Sequence, residues 1–164
     1  MKKVKETPFR YTPRPRDVAE VETVLKATGF FKSCEIGVGV ELVNDRLSEG
    51  PGSGYEFVLL DGKESLAGYC CYGSIPCTAS AFDIYWIAVH PDYQGKGMGR
   101  RIYNKTETRI QKMKGDRIYI ETSQRRQYLP TRKFYENVGF ERIALINDFY
   151  GPGDGKVIYC KILS

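Results

Sequence analysis

The sequence predicts an α+β protein: a single mixed, twisted sheet with helices on both faces, in the order β-α-α-β-β-β-α-β-α-β-β. Three observations carry this expectation. Apolar residues at helical spacing alternate along the chain with the continuous or period-two apolar runs of strands. An Asp61-Gly62 pair joins two such runs as a hairpin, and a second hairpin closes the chain. Between the hairpins, the run Asp83-Ile84-Tyr85-Trp86-Ile87-Ala88-Val89 stops at Pro91, which lacks the N–H a ladder needs. It passes through Gly95, Gly97 and Gly99 into a segment with Ile102, Thr106, Ile110 and Met113 on one helical face.

The remaining elements follow in order. Residues 8–13 read as a short edge strand, and Pro15 suits the first turn of a helix. That helix carries Val18, Val21, Leu25 and Thr28, and Gly29 caps its end. Phe30 and Phe31 follow in a turn, where they either pack or line an acceptor pocket. A second helix starts with Ser33 as its cap and sets Ile36, Val40, Val43 and Leu47 on one face. Gly37 and Gly39 weaken it by about 1 kcal/mol each relative to alanine. Residues 49–54 are a loop by composition. Strands run from Tyr55 to Asp61 and from Ser65 to Tyr72, with a small-residue loop over 73–81 before the central strand. After a helix ending near Lys114-Gly115 comes a strand over Arg117–Thr122. Pro130 then begins a helix with Phe134, Tyr135 and Val138, closed by Gly139. Residues 140–147 and 156–163 form the last hairpin around an eight-residue loop.

Length and composition bound the function. The 164 residues read as one domain, 1–164, with 41% hydrophobic and 27% charged residues, ordinary for a soluble globular protein. A net charge of +5 suits an anionic ligand or an acidic partner and is weak support for nucleic acid. No apolar run reaches membrane-spanning length, and Met1–Glu6 lack a hydrophobic signal core, so the expected location is cytoplasmic, with no membrane partner. Five cysteines without framework spacing read as reduced, Cys70 and Cys71 pointing to opposite faces. With one histidine, His90, no metal site is expected.

A strand, a glycine turn and a helix point backbone N–H groups at one spot on the positive end of the helix dipole, which suits a phosphate or pyrophosphate. The P-loop pattern fails, because Gly99 is followed by Arg100 and Arg101. The dinucleotide pattern fails because the third glycine comes one residue early. What stands is Gln-x-x-Gly-x-Gly from Gln94 to Gly99, which resembles the acetyl-CoA pyrophosphate loop of the GNAT N-acetyltransferase superfamily. About 35 residues beyond Gly99, Phe134-Tyr135-Glu136-Asn137-Val138-Gly139-Phe140 is similar to that superfamily's F-Y-x-x-x-G-F segment. The predicted element order matches the same fold over nearly the whole chain.

The resemblance implies acetyl-CoA as co-substrate, without a metal. It places the pyrophosphate on Gln94, Gly95, Lys96, Gly97, Met98, Gly99 and Arg100, and pantetheine against the backbone of Ile87 and Val89. A side chain at Gly97 or Gly99 is then expected to crowd that backbone. Arg100 and Arg101, with Lys105, Arg109 and Lys112, are either phosphate neighbours or a solvated face. It also implies that Tyr135 lies beside the CoA sulfur as the acid for the departing thiolate; the alternative is a packing tyrosine.

The chemistry needs a base as well. A lysine-like amine of pKa near 10.4 is neutral in only about one part in a few thousand at neutral pH, and an α-amino group in about one part in ten. A carboxylate can remove that proton directly or through water. Glu121 lies where the ribosomal-protein alanine N-acetyltransferases carry a glutamate, with a spacing to Tyr135 about two residues longer than theirs. Asp83 falls where histone-type members carry theirs, one methylene shorter. The sequence slightly favours Glu121 and keeps Asp83 open; His90 is a remote third choice.

The closing loop, Asp148 to Lys156, is similar in composition to the paired-aromatic loop of the alanine N-acetyltransferases. Asp148 and Asp154 are expected to attract a cationic amine while Phe149 and Tyr150 exclude water; a plain turn is the alternative. Phe30, Phe31, Asp148 and Tyr150 are therefore the acceptor candidates. The expected partner is a primary amine, either a small molecule or a protein N-terminus, and a homodimer stays open. Two other readings compete. One is a CoA-binding module of this fold without transfer. The other is a nucleic-acid-binding domain, against which the basic residues show no interleaved aromatics.

Overall fold

The computed structural model describes residues 9–164. Met1–Glu6, read above for a signal core, and Pro8, the start of the expected edge strand, lie outside the described residues. The elements are β1 (Phe9–Arg10), α1 (Asp17–Thr28), α2 (Ser33–Glu49), β2 (Glu56–Asp61), β3 (Leu66–Ser74), β4 (Ala81–Val89), α3 (Met98–Lys112), β5 (Arg117–Ser123), α4 (Leu129–Asn137), β6 (Glu141–Gly151) and β7 (Asp154–Ile162). Short 3-10 turns lie at Gly50–Ser53, Pro91–Tyr93 and Arg126–Tyr128. The seven strands are ordered β1-β2-β3-β4-β5-β7-β6, with β4 and β5 parallel and β1–β2, β2–β3, β5–β7 and β6–β7 antiparallel. The sheet is mixed and open, and the element order is the predicted one. Among the described residues no helix is long and apolar enough to cross a membrane.

Contacts divide the chain into two compact units. The first holds the described residues up to Tyr72 together with Trp86–Thr108. Its core joins Val21, Val24 and Leu25 of α1 to Leu42 and Val43 of α2 and to Phe57, Leu59 and Tyr69 of the sheet. The buried stripe of α2 runs through Gly39, Leu42 and Val43, while Leu47, expected on that face, is exposed. Gly39 explains the shift: a Cβ there would lie 2.6 Å from Leu25 Cδ1. Its cost in helix propensity accompanies a close approach of α2 to α1. Ser33 is the first residue of α2 rather than its cap. Lys32 holds the cap position, and its N–H donates to Glu35 Oε2 at 2.7 Å. At the other end of α1, Gly29 adopts the expected left-handed cap with φ 71°.

A buried ion cluster fastens β1 in this unit. Arg10 donates through Nε and Nη2 to Asp61 (2.8 Å each) and through Nη1 and Nη2 to Asp17 (2.9 and 2.8 Å). Asp17 is fully buried. Hydrogen bonds from Arg10 hold the Asp61 carboxyl below the usual range, and the two carboxylates push the guanidinium upward. Cys70 and Cys71 are buried reduced thiols; burial pushes Cys70 up to about 12. On α3, Ile102, Thr106 and Ile110 are buried as expected, but Met113 lies beyond the helix and is exposed.

The second unit holds Gly73–Tyr85 and Arg109–Ser164. Its parallel ladder runs from Ala81 opposite Arg117 to Ile84 opposite Ile120. Alternation along β5 buries Ile118, Ile120 and Thr122 and leaves Tyr119, Glu121 and Ser123 on the opposite face. Helix α4 is tied down at both ends. Arg132 Nη1 donates to the carbonyls of Ser123 (2.8 Å) and Arg125 (3.0 Å), and Lys161 Nζ donates to that of Val138 (2.8 Å). The closing loop expected over residues 148–155 is mostly strand: β6 continues to Gly151 and β7 starts at Asp154. A register shift between Ile146 and Gly151 absorbs Asp148, whose φ is 53°. Asp and Asn tolerate that left-handed region better than other side-chain-bearing residues, so the bend needs no glycine.

Replacing Arg10 with Met would leave Asp17 a buried, unpaired carboxylate and should cost about 3–5 kcal/mol in urea unfolding at neutral pH. The sign with pH follows from Asp61. Its lowered pKa stabilises the fold above the ordinary carboxylate range, and that contribution disappears as pH falls through the folded-state value. The gap between wild type and Arg10→Met should therefore narrow in acid.

Candidate active site

In the first unit, β4 ends at Val89 and His90 caps the 3-10 turn that follows: its Nδ1 accepts from Asp92 N–H at 3.3 Å. That contact anchors the imidazole at the foot of the glycine turn. Gln94 Nε2 donates to the Val89 carbonyl (2.9 Å), tying the turn back to the strand. Gly95 and Gly97 have φ of 69° and 74°, the left-handed region that L side chains rarely adopt. The first helical bond of α3 runs from Arg101 N–H to the Gly97 carbonyl (3.1 Å). The N–H groups of Met98 and Gly99 thus lead the helix without an intrahelical acceptor. A Cβ at Gly95 or Gly97 would meet no atom within 4 Å. Among the described residues nothing crowds Gly97: the residue is dictated by its backbone angle, and the open space over it is where a side chain would meet the expected pyrophosphate. The turn is a backbone cradle that fits a pyrophosphate. Lys96 bends away, its Nζ donating to the Asp92 carbonyl (2.7 Å) and lying over the Tyr93 ring. Arg100 is exposed on the first turn of α3.

In the second unit the titratable candidates separate by sheet face. Asp83 pairs with Tyr119 in the parallel register, and Glu121 is two residues further along the same face of β5. Burial raises the Asp83 carboxyl above the usual range, and the nearby negative charge of Glu121 raises it further. Glu121 is half exposed and held by Lys156, whose Nζ lies 2.7 Å from Oε2. The same ammonium stands 3.8 Å from the centroid of the Phe149 ring. Lys156 pairs with Ser123 across β5 and β7, so it shares the carboxylate face.

Tyr135 lies against the other face. It is 6% exposed, and its ring packs against Tyr159 (5.8 Å between centroids) and Phe140 (6.1 Å). Tyr159 pairs with Ile120, on the buried side of β5. Its hydroxyl donates to Glu136 Oε1 at 3.1 Å, which fixes the α4 surface beside Tyr135. The structure thus sets Asp83, Glu121 and Lys156 on one face, where Lys156 contacts Glu121 and Phe149, and Tyr135 on the other.

The acceptor candidates fare differently. Phe149 and Tyr150 are exposed and pack edge to face (4.9 Å). Asp148 Oδ1 accepts from Gly153 N–H (2.7 Å), closing the turn. Asp154, expected to attract a cation, is buried and already engaged by Ser123 Oγ (2.5 Å) and Arg125 Nε (2.9 Å). In the first unit, Phe31 is half-buried with its ring 5.8 Å from Trp86, a packing role; Phe30 is half-buried beside it. Sequence reasoning missed the part Lys156 plays. Alternation along β7 would have found it, since Lys156, Ile158 and Cys160 alternate with buried Val157 and Tyr159.

Among the described residues no group of three or more His, Cys, Asp or Glu could hold a metal ion. An open depression of about 320 Å³ lies beside Ala81, Arg117 and Tyr119, toward the opposite end of β5 from Glu121.

Comparison with known proteins identifies the family and the fold. A family model of the acetyltransferase (GNAT) domain matches residues 53–142. A crystal structure described as a GNAT-family acetyltransferase candidate from Desulfovibrio desulfuricans is 39% identical. The likeness covers 96% of this chain and 99% of that one with a TM-score of 0.93. The ribosomal-protein-S18-alanine N-acetyltransferase of Escherichia coli shares the fold at 16% identity and TM-score 0.74, over 96% and 95% of the two chains. An aminoglycoside 6'-N-acetyltransferase solved with coenzyme A does so at 16% and 0.74, over 94% and 96%. No curated protein sequence matches the chain.

The geometry predicts how Asp83 titrates. Its midpoint, followed by carboxyl NMR, should lie above the usual aspartate value near 4. Glu121→Gln should lower it without restoring the ordinary value, because burial is the larger cause. A raised carboxyl pKa disfavours the fold once the group ionises. Asp83→Asn should therefore raise Tm at neutral pH and lose that advantage below the aspartate range.

Proposed function

Because this chain belongs to the GNAT acetyltransferase family, we propose that it transfers an acetyl group from acetyl-CoA to a primary amine, the amine attacking directly in a ternary complex. The observation that carries this reading is the division of β5, with Asp83 and Glu121 on one face and Tyr135 against the other. Direct transfer needs a proton removed from the attacking nitrogen and one supplied to the departing sulfur. Asp83 and Glu121 are the candidates for the first task and Tyr135 for the second. The likeness over 96% of the chain supports treating residues 1–164 as one such domain.

Acetyl-CoA, when bound, supplies the activated acyl group. The Gln94–Arg100 turn would hold its pyrophosphate, since the left-handed Gly95 and Gly97 leave the space above them open. The ladder between β4 and β5 ends at Ile84, and the backbone at Ile87 and Val89 would take the pantetheine amides. The fold neighbour solved with coenzyme A supports this ligand.

On the carboxylate face, Asp83 is the better base: its raised pKa brings it closer to neutrality. Glu121, already paired with an ammonium, suits the task of holding the acceptor's charge. Phe149 and Tyr150 would wall that site from water. Neighbours named for a protein alanine and for an aminoglycoside support an amine acceptor.

An amine panel that includes peptides with free N-termini, read by release of free CoA thiol, should show turnover with at least one member. Binding of acetyl-CoA without thiol release would leave only a CoA-binding module. With the active amine in hand, Asp83→Asn should lower kcat by about a hundredfold and remove the acidic limb of the pH–rate profile. Glu121→Gln should mainly raise the acceptor KM, and the reverse pattern would exchange the two roles.

A further inference from the structure

Lys156 already has what an acceptor amine would need. Its side chain is 14% exposed, its ammonium is 2.7 Å from Glu121 Oε2, and the face of the Phe149 ring lies 3.8 Å away. A carboxylate and an aromatic face together form a cation site, each contributing electrostatic attraction to the ammonium. The second carboxylate, Asp83, is close enough to Glu121 for the charge of one to raise the pKa of the other. No cation from outside the chain is needed to complete this arrangement. Lys156 is a primary amine on a flexible four-carbon stem, so its nitrogen can leave the ion pair and re-enter it by side-chain rotation alone.

We propose that Lys156 is an internal acceptor, which takes an acetyl group from acetyl-CoA when no external amine occupies the site. The inference rests on the acetyltransferase reading above. Asp83 or water takes a proton from the Lys156 ammonium, and the freed nitrogen lone pair forms a C–N bond to the thioester carbonyl carbon. The C–S bond breaks, and the sulfur leaves with its electron pair and is protonated to CoA thiol. The net change is lysine ammonium and acetyl-CoA to N-acetyl-lysine, CoA thiol and a proton. The product amide carries no charge, so the ion pair to Glu121 and the contact with the Phe149 ring lose their electrostatic partner. Lys156 and the acceptor compete for the same partners, so an external amine protects Lys156.

The full chain incubated with acetyl-CoA alone, then digested and read site by site by mass spectrometry, tests this. Lys156 should be acetylated at least about tenfold faster than any other lysine, in keeping with general-base assistance. Asp83→Asn should remove that advantage, and so should an amine that the enzyme turns over. Lys156→Arg, which keeps a cation against Glu121 and Phe149, should show no preferred site. If Lys156 stays unmodified while an amine from the panel is turned over, the inference is overturned and the acetyltransferase reading stands. Modification no faster than in the urea-unfolded protein also overturns it, because chemical acetylation then suffices. If neither Lys156 nor any panel amine is acetylated, the reading itself fails and takes the inference with it.

Discussion

Successive side chains of a strand leave opposite faces of its sheet, and on β5 this alternation decides which side chains of the second unit face one another. Ile118, Ile120 and Thr122 are buried, and Tyr135 packs beside Tyr159 on that side. Tyr119, Glu121 and Ser123 turn the other way, toward Asp83 of β4 and Lys156 of β7. A one-residue slip in either ladder would send the carboxylate of Glu121 into the apolar layer. Register is pinned against that slip, because the long pairing of β5 with β7 keeps Ile120 beside Tyr159 and Glu121 beside Ile158. Apolar packing on one face thereby fixes which polar side chains share the other.

Electrostatics on the carboxylate face follow from what each group can reach. Asp83 is half-buried beside Glu121, so burial and its neighbour's charge both disfavour its ionised form. Glu121, half exposed and in contact with Lys156, is compensated. Two carboxylates on one face are thus placed in different environments, which is what the proposed division between proton acceptor and charge holder requires. The raised carboxyl is a local destabilisation, which the buried layer on the opposite face offsets.

Much of this was legible in the sequence, for identifiable reasons. The order of elements followed from apolar spacing, and Gly29, Gly95 and Gly97 marked left-handed turns that the structure contains. What the sequence misplaced depended on partners far along the chain. The α2 stripe moved to Gly39 because α1 comes close there, which no periodicity within α2 reveals. The last hairpin lengthened because Asp148 could take a positive φ and hold Gly153, where composition suggested a loop. Asp154 read as a free carboxylate, yet Arg125 pairs with its charge and the Ser123 hydroxyl donates to it from another part of the chain. The balance between Glu121 and Asp83 could not be judged without Lys156, which reaches Glu121 only through the β5–β7 register.

The central claim is that proton removal and proton supply are assigned to opposite faces of β5, with Tyr135 as the donor. Steady-state kinetics of Tyr135→Phe from about pH 6 to about pH 9 test it most directly, because only the hydroxyl is removed. The account predicts that kcat falls by about a hundredfold while the KM for acetyl-CoA changes little. A variant that folds like wild type and keeps its kcat across that range would contradict it, and Tyr135 would then be a packing residue alone.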